Sequence, residues 1–294
     1  MRLAVITDEI AQDFEHALDV MQEYNVQHAE LRGLWGTNIA DLSPEQVQRA
    51  QTALKTRGME TVCLATPFYK CDFALNVENA GEEAGRMHLA RPRGFEEQMQ
   101  ILARCCDLAE VFNTTFIRVF SFWRKEVLTP ELEDRIVEAF AEPVEYAKKR
   151  GMTLLLENEH ACFIGTGAEA ARIAKRVDSP HFQLVWDPGN AFYAEEKPFP
   201  DGYEAVKPWL KHIHIKDAVL ASTPHGVQPQ WCVIGEGEID YVGHFSALKR
   251  DGYNGFLSLE THYIPKTGSG ENGKGTPEDG SRPCLSALNK MLAN

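Results

Sequence analysis

Glu157, Asp187, His214 and Glu260 are three carboxylates and one imidazole, separated by 30, 27 and 46 residues. Each stands at the end of a short apolar run: Thr153–Glu157, Phe182–Trp186, His212–Ile215 and Gly255–Glu260. Neighbouring strands of a sheet lie ~4.8 Å apart, so four consecutive strand ends can converge on one ion. One neutral nitrogen and three hard oxygens suit Mn²⁺, Mg²⁺ or Co²⁺, and also accommodate Zn²⁺. Without a cation, three carboxylates that close would repel and raise each other's pKa values. A single polar strand end means little, because strand ends lie near the surface. Four potential ligands on four successive strands point to one divalent-metal site. His212 shares a strand face with His214, so alternation alone does not choose between them. His214 lies nearer the C-terminal end and is preferred.

The elements that must position these residues follow one rhythm. Four more runs precede them: Leu3–Thr7, His28–Leu31, Glu60–Ala65 and Thr115–Phe120. Most of the eight are continuously apolar, as parallel strands covered on both faces should be. Helices are expected at Phe14–Tyr24, after Ser43-Pro44-Glu45, and at Gly94–Val111, Thr129–Arg150, Gly167–Arg176, Asp240–Arg250 and Pro283–Leu292. Their signals are N-cap Ser or Thr, Pro in the first turn, and Gly at the stop. Eight strands alternating with about eight helices predict a single α/β domain over residues 1–294, a (β/α)8 TIM barrel. A doubly wound sheet is disfavoured, since Thr7-Asp8-Glu9 stands where its Gly-rich first turn would be. Stretches near 76–92, 219–237 and 264–283 are expected as rim insertions, the last either a polar lid or an ordered segment.

In such a barrel the reacting groups sit where strands end. Those positions add Asp8, Glu9, Glu30, Arg32, Thr66, Arg118, Ser121, Asn158, Lys216 and His262. The tryptophans are read first as packing residues. Trp123 and Trp231, in loops after the fourth and seventh strands, are the two candidates for a sugar pocket. His160 is expected to donate to substrate or to cap the next turn, and His88 to be solvated.

Composition is that of a globular enzyme, with 44% hydrophobic and 25% charged residues over 294 positions. Thirty basic against 43 acidic residues leave a formal charge of −13, which disfavours sequence-independent binding to nucleic acid or anionic lipid. Seven cysteines, two of them adjacent at Cys105 and Cys106, do not suit a disulfide framework, and no CxxC pair suggests a zinc ribbon. The opening MRLAVITDEIAQD is too short an apolar stretch for a signal peptide. The expectation is a cytoplasmic protein with reduced thiols, no membrane partner and no nucleic-acid partner. Homo-oligomers are compatible with its long insertions.

The segments LLLENEH, VWDPGNAF, HIHIKDA, IGEGEIDY and FLSLETH resemble the signature of the xylose isomerase-like TIM barrel superfamily. The similarity extends from ITDEIAQDFEHAL and AELRG over nearly the whole chain. That group includes sugar-phosphate isomerases and epimerases, keto-sugar 3-epimerases, inosose dehydratases and endonuclease IV. The resemblance implies that Glu157 and Glu260 serve both as metal ligands and as the acid/base pair, with Asp187 and His214 completing the site. It places His214-Ile-Lys216-Asp217 on the family's HxKD pattern, and Glu30 and Arg32 on its ELR. Arg32, Glu30, Lys216, Asn158, His160 and Trp123 are the candidate substrate-binding residues. One departure stands out: keto-sugar epimerases and endonuclease IV carry a His three residues after the ligand Asp, where this chain has Asn190.

Together these features predict an isomerase or epimerase that uses one divalent ion on a sugar, sugar phosphate or polyol-like ketone. The ion lowers the pKa of the carbon acid beside the carbonyl and stabilises an enediolate. One glutamate removes the proton and the other returns it. If the second acid protonates a departing hydroxyl, the same site is an inosose-type dehydratase, the nearest alternative. A non-catalytic metal- or sugar-binding barrel and an endonuclease IV-like phosphodiesterase rank lower.

Overall fold

The computed structural model describes residues 1–73, 89–224 and 226–293. Eight parallel strands form the barrel: β1 (Arg2–Ile6), β2 (His28–Leu31), β3 (Glu60–Ala65), β4 (Phe116–Val119), β5 (Thr153–Glu157), β6 (Phe182–Trp186), β7 (Leu210–Ile215) and β8 (Phe256–Leu259). Each pairs with its neighbours in chain order, and β8 closes the ring on β1 through Ala4 opposite Ser258. The predicted strands therefore all form, four with the expected bounds and four with one or both ends shifted by one or two residues. Inside the ring, Ala4, Val62, Cys63, Leu155 and Val185 make a small apolar floor, with Phe116 and Phe256 against it. The larger apolar cluster lies between the barrel and its helices. All seven cysteines are free thiols, and no helix among the described residues is long and apolar enough to cross a membrane.

Local chemistry explains the helix starts. Ser43 and Thr166 form capping boxes with Gln46 and Glu169, and Asp13, Thr129 and Asp240 cap with single side-chain bonds. Two helix expectations need correction. Thr129–Arg150 is two helices, Pro130–Ala139 and Ala141–Lys149, broken at Phe140. Pro143 has no N–H to offer the carbonyl of Ala139, and the Tyr69 hydroxyl donates to that carbonyl instead at 2.7 Å. The last helix begins at Pro277, not Pro283. Thr276 caps it, and the Asp279 carboxylate gathers both the backbone and the side chain of Ser269 and Thr276. Residues 264–283 are thus an ordered insertion whose end is helical.

The 219–237 insertion is a rim hairpin of Asp217–Thr223 and Gly226–Cys232. Asp217 secures its base by accepting from the backbone N–H groups of Ala218, Gly235 and Gly237. Helical turns over 198–209, for which no element was predicted, cover Trp186. Residues 76–88 of the first insertion, His88 included, lie outside the described residues.

Candidate metal centre

Glu157 ends β5, Asp187 follows β6, His214 is the penultimate residue of β7, and Glu260 follows β8. All four are buried, and one ligand atom from each lies within 4.8 Å of the others. His214 Nδ1 is 3.1 Å from Glu157 Oε1, 3.4 Å from Glu260 Oε2 and 4.0 Å from Asp187 Oδ2. A proton on that nitrogen can point at one oxygen only, whereas a cation among them would serve all three. Asp187 Oδ2 is buried and accepts no aligned hydrogen bond, although Lys216 Nζ lies 2.8 Å away. The donor set fits a hard divalent cation, and Asp187 Oδ2, ion-paired with Lys216 but accepting no hydrogen bond, fits one as well.

The matching sequence pattern decides the family. Residues 13–283 match the model of the xylose isomerase-like TIM barrel. The chain belongs to that family. An inosose dehydratase of Serratia proteamaculans is 25% identical over 255 residues, covering 82% of each chain. The probable 3-DHS dehydratase AsbF of Bacillus anthracis superposes with a TM-score of 0.73 at 19% identity, covering 100% of this chain and 99% of its own. A magnesium complex of a xylose isomerase-like TIM barrel protein from Mycobacterium smegmatis gives 0.65 at 20% identity, covering 95% and 89%.

In this xylose isomerase-like barrel the two histidines of β7 take different levels. His214 faces the carboxylates; His212 lies deeper, its Nε2 2.7 Å from Glu30 Oε2 and 2.9 Å from Ser258 Oγ. Glu30 was expected beside substrate, but it is fully buried and both its oxygens are engaged. Its Oε1 is 3.1 Å from His214 Nε2, which leaves Nδ1 directed at the carboxylates. Burial works to raise Glu30, and the imidazoles of His214 and His212 overcome it, holding the carboxyl well below its usual range. This is the carboxylate–histidine arrangement that orients a metal-binding imidazole. Glu30→Gln is therefore expected to weaken Mn²⁺ binding by roughly 10–100-fold in a calorimetric titration. Unchanged affinity would separate Glu30 from the metal.

The cations expected to meet substrate hold carboxylates in this structure. Arg32 gives Nε to Asp8, Nη2 to Glu9 and Nη1 to Glu260 Oε1, the last at 2.7 Å. Lys216 Nζ is 2.7 Å from Glu260 Oε2. Burial raises Asp187 to about 7, reinforced by Glu260 and Glu157 against the pull of Lys216. The Asn158 amide brackets Asp187, donating to its carbonyl at 2.9 Å and accepting from its N–H at 2.8 Å. Trp123 is buried, packed with Phe120 and Cys162. His160 does reach the mouth, half-exposed, with Nδ1 3.1 Å from both Asn190 Oδ1 and Glu159 Oε1.

Two residues given no role from sequence touch the centre directly. Arg118 Nη1 donates to Glu157 Oε2 at 2.6 Å. Asn190 Nδ2 donates to Glu157 Oε1 at 3.2 Å, so the amide that replaces the epimerases' histidine positions a glutamate. Gly189 permits the crowding here, since a Cβ would meet Lys216 Cγ at 2.5 Å and Trp231 at 3.1 Å.

Proposed function

We propose that the protein is a divalent-metal-dependent dehydratase of a polyhydroxylated ketone, acting by proton abstraction beside the carbonyl. The observation that carries this is the pair Glu157 and Glu260, which share one buried ligand cluster and are each braced by their own cations. A bound divalent cation supplies Lewis-acid polarisation of the substrate carbonyl and its neighbouring hydroxyl. Arg118 and Asn190 aim Glu157, whose carboxylate accepts the proton from carbon. On the other side His262 Nε2 lies 3.3 Å from both Glu260 Oε1 and Glu9 Oε1. Burial works against its protonation, but Glu9 and Glu260 raise it to about 9. His262 therefore holds a proton beside Glu260, where it can be given to the hydroxyl leaving the adjacent carbon. One C–H and one C–O bond break, a C=C bond forms, and water departs.

The same pair suits isomerisation or epimerisation, the reaction expected first from sequence. The inosose dehydratases that align with more than four-fifths of the chain support dehydration. The test is to incubate the Mn²⁺- or Mg²⁺-loaded protein in deuterated water with a keto-inositol and with keto-hexoses. Dehydration is expected to give a new ultraviolet-absorbing enone or dione. A deuterated epimer without water loss would replace dehydration by epimerisation, and metal binding with no exchange at carbon would overturn both.

A further inference from the structure

Four aromatic rings form a collar over the metal cluster. His160 and Tyr193 have ring centroids 5.0 Å apart, Tyr193 and Trp231 4.1 Å, and Trp231 and His262 5.4 Å. They come in turn from the segments after β5, β6, β7 and β8, the four strands that bear the candidate ligands. The Tyr193 hydroxyl donates to Pro229 O at 2.9 Å, fastening the rim hairpin that carries Trp231. Lys216 Nζ sits 5.4 Å from the Trp231 ring, so the collar lies directly against the site.

Beyond Trp231 and His262 the collar opens into a groove of about 550 Å³ whose lining also includes Glu9, Gln12, Tyr263 and Ile264. Cavities of about 300–1,000 Å³ take drug-sized ligands, so this volume accepts a full ring beyond the one at the metal. Groove and metal site share a wall, because His262 contacts Glu260 on one side and Glu9 on the other. The lining combines carboxylates, the Arg32 guanidinium, a primary amide and aromatic faces. Those groups pair with hydroxyls and with the C–H face of a sugar. Asp8, Glu9 and Glu260 surround Arg32 and His262, three carboxylates against two cations, so both cations are already committed and the groove is poorly suited to a phosphate or carboxylate.

We propose that the groove is a subsite for a second, uncharged sugar ring, so that the substrate is a keto-glycoside larger than a free keto-sugar. This rests on the dehydratase reading for the first ring. The test is equilibrium binding to the Mn²⁺-loaded protein, comparing D-glucose with cellobiose, maltose and trehalose by calorimetry. At least one disaccharide is expected to bind tenfold or more tightly than glucose. Ile264→Trp, at an exposed position, fills the groove and should remove that margin while leaving glucose binding unchanged; Gln12→Ala should narrow it. Equal affinities, no disaccharide binding, or a margin that survives both substitutions would overturn the subsite. The readout is independent of turnover. Exchange at the carbon of a free keto-sugar without a disaccharide margin refutes the subsite alone, while disaccharide binding without exchange refutes the dehydratase reading alone.

Discussion

Glu260→Gln and Glu157→Gln are each expected to lower kcat by about 10²–10⁴-fold while leaving the barrel folded. The substitution keeps the size of the side chain and removes only its charge and basicity. At position 260 the change reaches further, because Glu260 accepts from Arg32 at one oxygen and Lys216 at the other. An amide nitrogen facing either cation would be repelled, so the Gln side chain retains at most one of those contacts. At position 157 the oxygen facing Arg118 can remain a carbonyl, but the NH₂ must then face His214 Nδ1 and Asn190 Nδ2. Both glutamates are also candidate ligands, so metal content and thermal unfolding should be measured with turnover. A variant that retains metal and fold but loses turnover isolates the proton-transfer role. An active, metal-loaded Glu260→Gln enzyme would remove Glu260 from the chemistry.

The convergence of the four candidate ligands is legible because a (β/α)8 barrel converts a list of strand ends into a ring of neighbours. Glu157, Asp187, His214 and Glu260 needed only the correct strand boundaries to meet. The residues that hold them were less legible. Arg118 and Glu157 are 39 positions apart in sequence, and whether an arginine on an inward face extends to a neighbouring carboxylate or to solvent depends on the side chains around it. Glu30 belongs to the same strand-end list as the ligands, yet its depth places it under His214, where it orients the imidazole. Alternation specifies the face of a strand and not the level within the barrel. The collar has no sequence period at all: its rings follow their ligands at irregular offsets because loop lengths, not strand geometry, set where they lie. Helix limits failed at Pro143 and Pro277, where a missing N–H in one case and a capping Thr in the other outweighed the apolar pattern.

Lys216→Met should destabilise the metal-free protein by about 3–5 kcal/mol, the cost of removing one partner from a buried ion-pair cluster. Lys216 is 1% exposed and lies 2.8 Å from Asp187 Oδ2 and 2.7 Å from Glu260 Oε2. Burial disfavours its charge, and the carboxylates of Asp187 and Glu260 more than compensate, pushing its pKa up. Methionine preserves the packing of the alkyl stem against Gly189 and deletes only the charge. Two buried carboxylates then lose a cation, with Arg32 still on Glu260 but no arginine or lysine among the described residues left on Asp187. The metal response carries the diagnostic sign. In the wild type an ammonium group stands beside the oxygen that a divalent ion would use, and the two like charges oppose each other. In the variant that opposition is gone and the ion takes the place of the ammonium beside Asp187, while Glu260 keeps Arg32. Saturating Mn²⁺ should therefore raise Tm more in Lys216→Met than in the wild type, since a ligand stabilises the folded state according to its affinity. Equal Tm increments in the two proteins would mean that the ion does not share Asp187 and Glu260 with Lys216, and the candidate centre would have to be redrawn around other ligands.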